Sequence, residues 1–121
     1  GYLGYSEMWL NGTNDWVYRH LNQSAHRMGE LANRYTNPSE LERRALNQAA
    51  RELLLAQASD WAFIMKTGTM TEYALRRTHE HVGRFTRIYE DLLNNRLDEH
   101  WLRTVEETDN LFPQIDYAVY R

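Results

Sequence analysis

The sequence has no cysteine. That excludes a disulfide framework and any thiolate metal site, and it suits a reducing compartment, so a cytoplasmic location is the expectation. Long hydrophobic runs are also missing. Runs such as Leu53, Leu54, Leu55 and Ala56 span only a handful of residues, far short of the roughly 20 residues that a bilayer-spanning helix needs, so no membrane partner is expected. Basic charge is not in excess either: 14 Lys and Arg stand against 17 Asp and Glu, interspersed along the chain, for a formal charge of -3. A nucleic-acid interface would want a massed basic face, and there is none. The opening Gly1-Tyr2-Leu3-Gly4-Tyr5 lacks both an initiator Met and a basic region followed by an apolar stretch. It shows no signal-peptide pattern, and we read the sequence as a piece of a longer protein.

What is present is enough apolar content for one modest core, 42% of 121 residues, so residues 1–121 are expected to form a single domain. Residues 1–12 hold three of the six glycines and no helical period, and read as an irregular N-terminal segment. Thr13, Asn14 and Asp15 offer N-cap chemistry before Trp16. Trp16, Val17, His20, Leu21, Ala25, Met28, Leu31, Ala32 and Tyr35 then recur every three or four residues, predicting a helix over 15–35.

Asn37, Pro38 and Glu40 look like a restart, with Asn capping, Pro at the first helical position and Glu closing the box. A second helix is expected from residue 38. Leu41, Ala45, Leu46, Ala49, Leu53 and Ala56 line one side of it, and Leu54 and Leu55 widen the stripe until the later half is buried almost all round. Residues 59–65 either finish this helix or bend off it, and Gly68 stops it. Thr69 and Glu72 form another capping box, opening a third helix along Tyr73, Ala74, Arg77, His81, Phe85, Ile88 and Leu92 that ends near Asn94 and Asn95. Asp98 caps a shorter fourth helix with Trp101, Leu102 and Val105, and the tail over 115–120 is read as extended. Short connections between helices this long predict an all-α, antiparallel three- to four-helix bundle.

Chemistry is harder to find. His20 with His26, and His79 with His81, are spaced wrongly for two rings on one helical face, so no metal is expected, and His79 and His81 are read as partly solvated. Acids with an Arg four residues on, as in Glu40 with Arg44 and Glu72 with Arg76, read as surface pairs. Glu52 and Asp60 flank the most apolar stretch, where a charge needs a partner, and Arg51, Arg76 or Arg77 could supply it. No phosphate loop, nucleophile elbow or His-Cys pair is visible; neither a catalytic residue nor a cofactor is expected.

The aromatic content is the sharpest signal: eight Tyr, four Trp and three Phe. Tyr5, Trp9 and Trp16 fall in or beside the irregular N-terminal segment. Beside them Asn11, Asn14 and Asn22 add neutral hydrogen-bonding groups. A flat ring to stack on and uncharged polar groups for hydroxyls are what a sugar wants. The simpler reading, that these rings pin the segment to the bundle, stays open.

The runs Glu7-Met8-Trp9-Leu10-Asn11 and Asn14-Asp15-Trp16-Val17-Tyr18, and the long run from Ala45 to Trp61, resemble the C-terminal helical region of glycoside hydrolase family 57. Thr67-Gly68-Thr69, Glu72-Tyr73-Ala74 with Arg76-Arg77, and the closing Asn110-Leu111-Phe112-Pro113-Gln114-Ile115-Asp116-Tyr117 are similar to it as well. Within the family the likeness is greatest to the bacterial 1,4-α-glucan branching enzymes.

The resemblance implies a helical domain packed on a distorted β/α barrel, the two forming an α-glucan cleft. A Glu nucleophile and an Asp acid/base would lie on the barrel, outside this sequence. Trp9, Trp16, Asp60, Trp61 and Tyr5 become candidate substrate-binding residues, with α-1,4-glucan and the barrel as partners. A related amylase or 4-α-glucanotransferase is an alternative. A stand-alone helical interaction module is another, its exposed aromatics forming a protein interface.

Overall fold

A computed structural model gives the backbone of residues 13–67 and 72–121, and the side chains of residues 19–58 and 76–121. Helices α1 (Thr13–Arg34), α2 (Glu40–Thr67), α3 (Glu72–Leu93) and α4 (Glu99–Thr108) are followed by a single 3-10 turn at Tyr117–Tyr120. There is no strand among the described residues, and the all-α bundle is as expected. The N-terminal segment and the turn near Gly68 lie outside the described residues.

The helix ends follow local chemistry. At α2 the capping box is one residue pair later than read: Ser39 Oγ accepts from the Glu42 N–H at 3.1 Å, and Glu42 Oε1 accepts from the Ser39 N–H at 2.9 Å. The helix therefore begins at Glu40, and Pro38 stays outside it. It then runs unbroken to Thr67, so residues 59–65 continue α2 and do not bend off it. At the end of α3, Asn95 takes φ 55, with the Arg96 N–H on the Asp91 carbonyl at 2.8 Å and the Asn95 N–H on that of Leu92 at 3.3 Å. This is a left-handed helix stop, a conformation that Asn tolerates better than most residues. Asp98 caps α4 as expected, accepting from the Trp101 N–H at 3.1 Å.

The core is built where the periodicity put it. Met28, Leu31 and Ala32 of α1, Leu46, Ala49, Ala50 and Leu53 of α2, Phe85, Ile88 and Leu92 of α3, and Leu102 of α4 join one buried cluster. Small residues at 45, 49, 50 and 56 let neighbours approach α2 closely, and its middle is buried on nearly every side. Contacts fix the directions. Only four residues separate the end of α2 from the start of α3, and Glu52 and His81 meet midway along the two helices, so α2 and α3 are antiparallel, whereas Glu30 bonds Tyr89 and Tyr35 reaches Leu92, so α1 and α3 run parallel.

The tail is not extended throughout. Asp116 caps the 3-10 turn by accepting from the Ala118 N–H, and Tyr117 is buried at 1% exposure. The Tyr117 hydroxyl donates to the Tyr35 carbonyl at 2.6 Å, while Arg121 donates to the carbonyls of Ala32 at 2.8 Å and Tyr35 at 3.0 Å. A cation and a hydroxyl thus cover carbonyls that the end of α1 leaves free.

Candidate functional site

Of the candidate substrate-binding residues, Tyr5 and Trp9 lie outside the described residues. Trp16 falls in the first turns of α1, and Asp60 and Trp61 in the last turns of α2; their side chains lie outside the described ones. Because α1 and α2 are antiparallel, these two backbone stretches sit at the same end of the bundle. An open groove of about 310 Å³ lies along α3, lined there by Thr78, His79, Val82, Gly83, Thr86, Arg87 and Glu90, with His20 of α1 at its edge.

The densest polar chemistry lies elsewhere, inside the bundle. Glu52 of α2 is fully buried, and its Oε1 lies 2.8 Å from His81 Nδ1 of α3, also fully buried. Gln48, one turn before Glu52, donates to Glu52 Oε2 at 2.8 Å and to the Asp109 carbonyl at 3.1 Å. Asp109 follows α4, 3.6 Å from His81 Nδ1 and 2.7 Å from Arg84 Nη1. Arg51 donates to Gln48 Oε1 and to the carbonyls of Leu111 and Phe112.

Burial pushes the Glu52 carboxyl above the usual glutamate range; hydrogen bonds with His81 and Gln48 oppose this, and the neighbouring Asp109 carboxylate adds to it. Burial likewise pulls the Arg51 guanidinium below its ordinary value, against the pull of Glu106 and Glu52.

Three sequence expectations are corrected here. His81 is not partly solvated, because its place in the α3 stripe carries it into the core, where Glu52 receives it. Glu52 is paired not with an arginine but with His81 and Gln48; Arg51 turns to backbone carbonyls and Arg77 to Glu80 at 3.9 Å. Among the described side chains, Arg44 bonds neither Glu40 nor another α2 acid. It reaches across to α4, gripping Glu106 with two nitrogens at 3.2 and 2.7 Å and Glu99 at 3.0 Å, since two acids on a facing helix offer a better fork than one acid on its own. The Glu72 side chain of the other expected pair lies outside the described ones.

Glu52, His81 and Asp109 bring possible ligand atoms within 4.8 Å of one another. Arg84 already neutralises Asp109, however, and Nδ1 of His81 is taken by Glu52, so the trio reads as a cross-brace between α2, α3 and the chain after α4. With Glu52 and His81 closed to solvent, no substrate reaches them.

The sequence matches the family described as 1,4-alpha-glucan branching enzyme, C-terminal, over residues 20–120. It is 34% identical over 116 residues to a 1,4-alpha-glucan branching enzyme of Thermococcus kodakarensis, covering 93% of this chain and 17% of that protein. A crystal structure of the alpha-amylase AmyC from Thermotoga maritima superposes with a TM-score of 0.79 at 50% identity, over 91% of this chain and 21% of that one. The chain thus spans about a fifth of the length of the relatives it matches. With the bundle, the capped helices and the matched span in agreement, the chain belongs to the family of 1,4-alpha-glucan branching enzyme C-terminal domains.

Proposed function

We propose that this chain is the helical domain of a longer α-1,4-glucan branching enzyme, packing on a catalytic barrel and lending one wall to the glucan cleft. The observation that carries this is the family match over residues 20–120 in a chain about a fifth as long as its relatives. A retaining transfer needs two carboxylates about 5 Å apart and open to the sugar. Glu52 is enclosed and open to no sugar, and we assign that pair to the barrel. Trp9, Trp16, Trp61 and Tyr5 supply stacking faces and Asp60 accepts from sugar hydroxyls. The common end of α1 and α2, next to the groove by His20, supports that reading. Aromatic walls hold a sugar acceptor and displace water, which favours transfer over hydrolysis.

The test is linkage analysis of the product made by the longer polypeptide from linear amylose. New α-1,6 bonds are expected, and Trp61→Ala should reduce chain transfer while the domain's helical circular dichroism stays intact. An amylase or 4-α-glucanotransferase is the second reading, favoured by the higher identity to the alpha-amylase AmyC. Hydrolysis or new α-1,4 products without branches would establish it.

A further inference from the structure

Leu111 and Phe112 are adjacent, large and apolar, and they are 56% and 49% exposed. Phe112 also stands at φ 55, in the left-handed region that bulky side chains avoid. Beneath the pair, Arg51 is nearly buried and donates to both of their carbonyls, 3.2 Å from that of Phe112, while the Ile115 N–H takes the Phe112 carbonyl at 3.0 Å. Asp109, the root of the loop, is tied to Arg84 and Gln48. A buried cation and a cross-brace therefore hold the backbone beneath two exposed apolar side chains, with Phe112 in a strained conformation. Ordinary loops do the reverse, turning such side chains inward.

We propose that Leu111 and Phe112 form a preorganised docking knuckle that seats this domain on the catalytic remainder of its own polypeptide, Phe112 filling an apolar pocket there. The inference rests on the reading that such a remainder exists, which the relatives' fivefold greater length supports. A sugar fits this surface poorly. Leu111 has no flat face to stack on, and the loop carbonyls that could accept from hydroxyls are already held by Arg51. A covalently joined partner suits it well, because tethering lets two side chains suffice where separate molecules would need a larger interface, and a rigid pose avoids the ordering cost of docking.

Hydroxyl-radical footprinting of the longer polypeptide tests this. Moving Phe112 from 49% exposure to the buried core of an interface should slow its oxidation about fivefold relative to what that exposure predicts. The double variant Leu111→Ser with Phe112→Ser should restore fast oxidation at Pro113 and split off a separate melting transition for this domain. Oxidation of Phe112 at the rate that its exposure predicts overturns the proposal. So does protection that appears only with added maltoheptaose, which assigns the knuckle to glucan, or protection that changes with protein concentration, which assigns it to a second copy. Product linkage is read separately: protection in a polypeptide that forms no α-1,6 bond keeps the knuckle and removes the branching assignment.

Discussion

A carboxylate without solvent needs donors, and Glu52 has two, the Gln48 amide and the His81 ring. Burial still leaves its folded pKa above the usual glutamate range. A raised folded pKa means that the folded state binds the proton more tightly than the unfolded chain does. The stability gained this way is complete below the usual range and is lost as pH rises through the raised value. Glu52→Gln keeps the shape and loses no stability to ionisation at that position. Its stability relative to wild type should therefore improve as pH is raised from about 4 to about 7, as read from urea unfolding at each pH. A gap that stays constant or moves the other way would mean that Glu52 ionises as readily in the fold as out of it.

Among the elements, α3 carries an unused opportunity. Gly83 sits mid-helix, and a Cβ built there meets nothing within 4 Å. Gly→Ala at such a site removes backbone freedom from the unfolded chain, so Gly83→Ala should add about 0.5 to 1 kcal/mol, measured as a higher urea midpoint with an unchanged slope. Should the variant instead lose stability, the groove beside it is filled in solution.

How much of these elements was legible follows from the range of the causes. The Asp98 cap and the Asn94–Asn95 stop depend on neighbours within a few residues, and they are where the sequence put them. The Ser39 box competes in the sequence with the start that Asn37-Pro38 offers, although Ser39 followed three residues later by Glu42 is a signal in plain view. His81 with Glu52, and Arg44 with Glu99 and Glu106, join residues 29 to 62 positions apart. Such pairs are set by the register of one helix on another, which periodicity does not specify. The aromatic candidates Tyr5, Trp9, Trp16, Asp60 and Trp61 remain a reading from composition and resemblance, carried forward as a proposal.

At the scale of the whole molecule, the tail closes the bundle. Tyr117 fills a core position, and with Arg121 it covers the end of α1 across 82 to 89 residues of sequence. Tyr117→Ala should cost about 3 to 5 kcal/mol, as large aromatic truncations do. It should also speed amide hydrogen exchange in the last turn of α1 more than in α4, though α4 is nearer in sequence. Faster exchange confined to α4 would mean that the tail is only an appendage of that helix.

This closure sets an order of events during synthesis. A ribosome releases α1 first, yet the carbonyls of Ala32 and Tyr35 find their lasting donors only when Tyr117 and Arg121 have emerged. Until then, the first of these four helices waits with a frayed end. The slowest contacts to form, those of greatest sequence separation, are the ones that finish the first helix of this bundle, and a nascent chain stalled before its last turn would hold an open bundle for a chaperone or a protease to find.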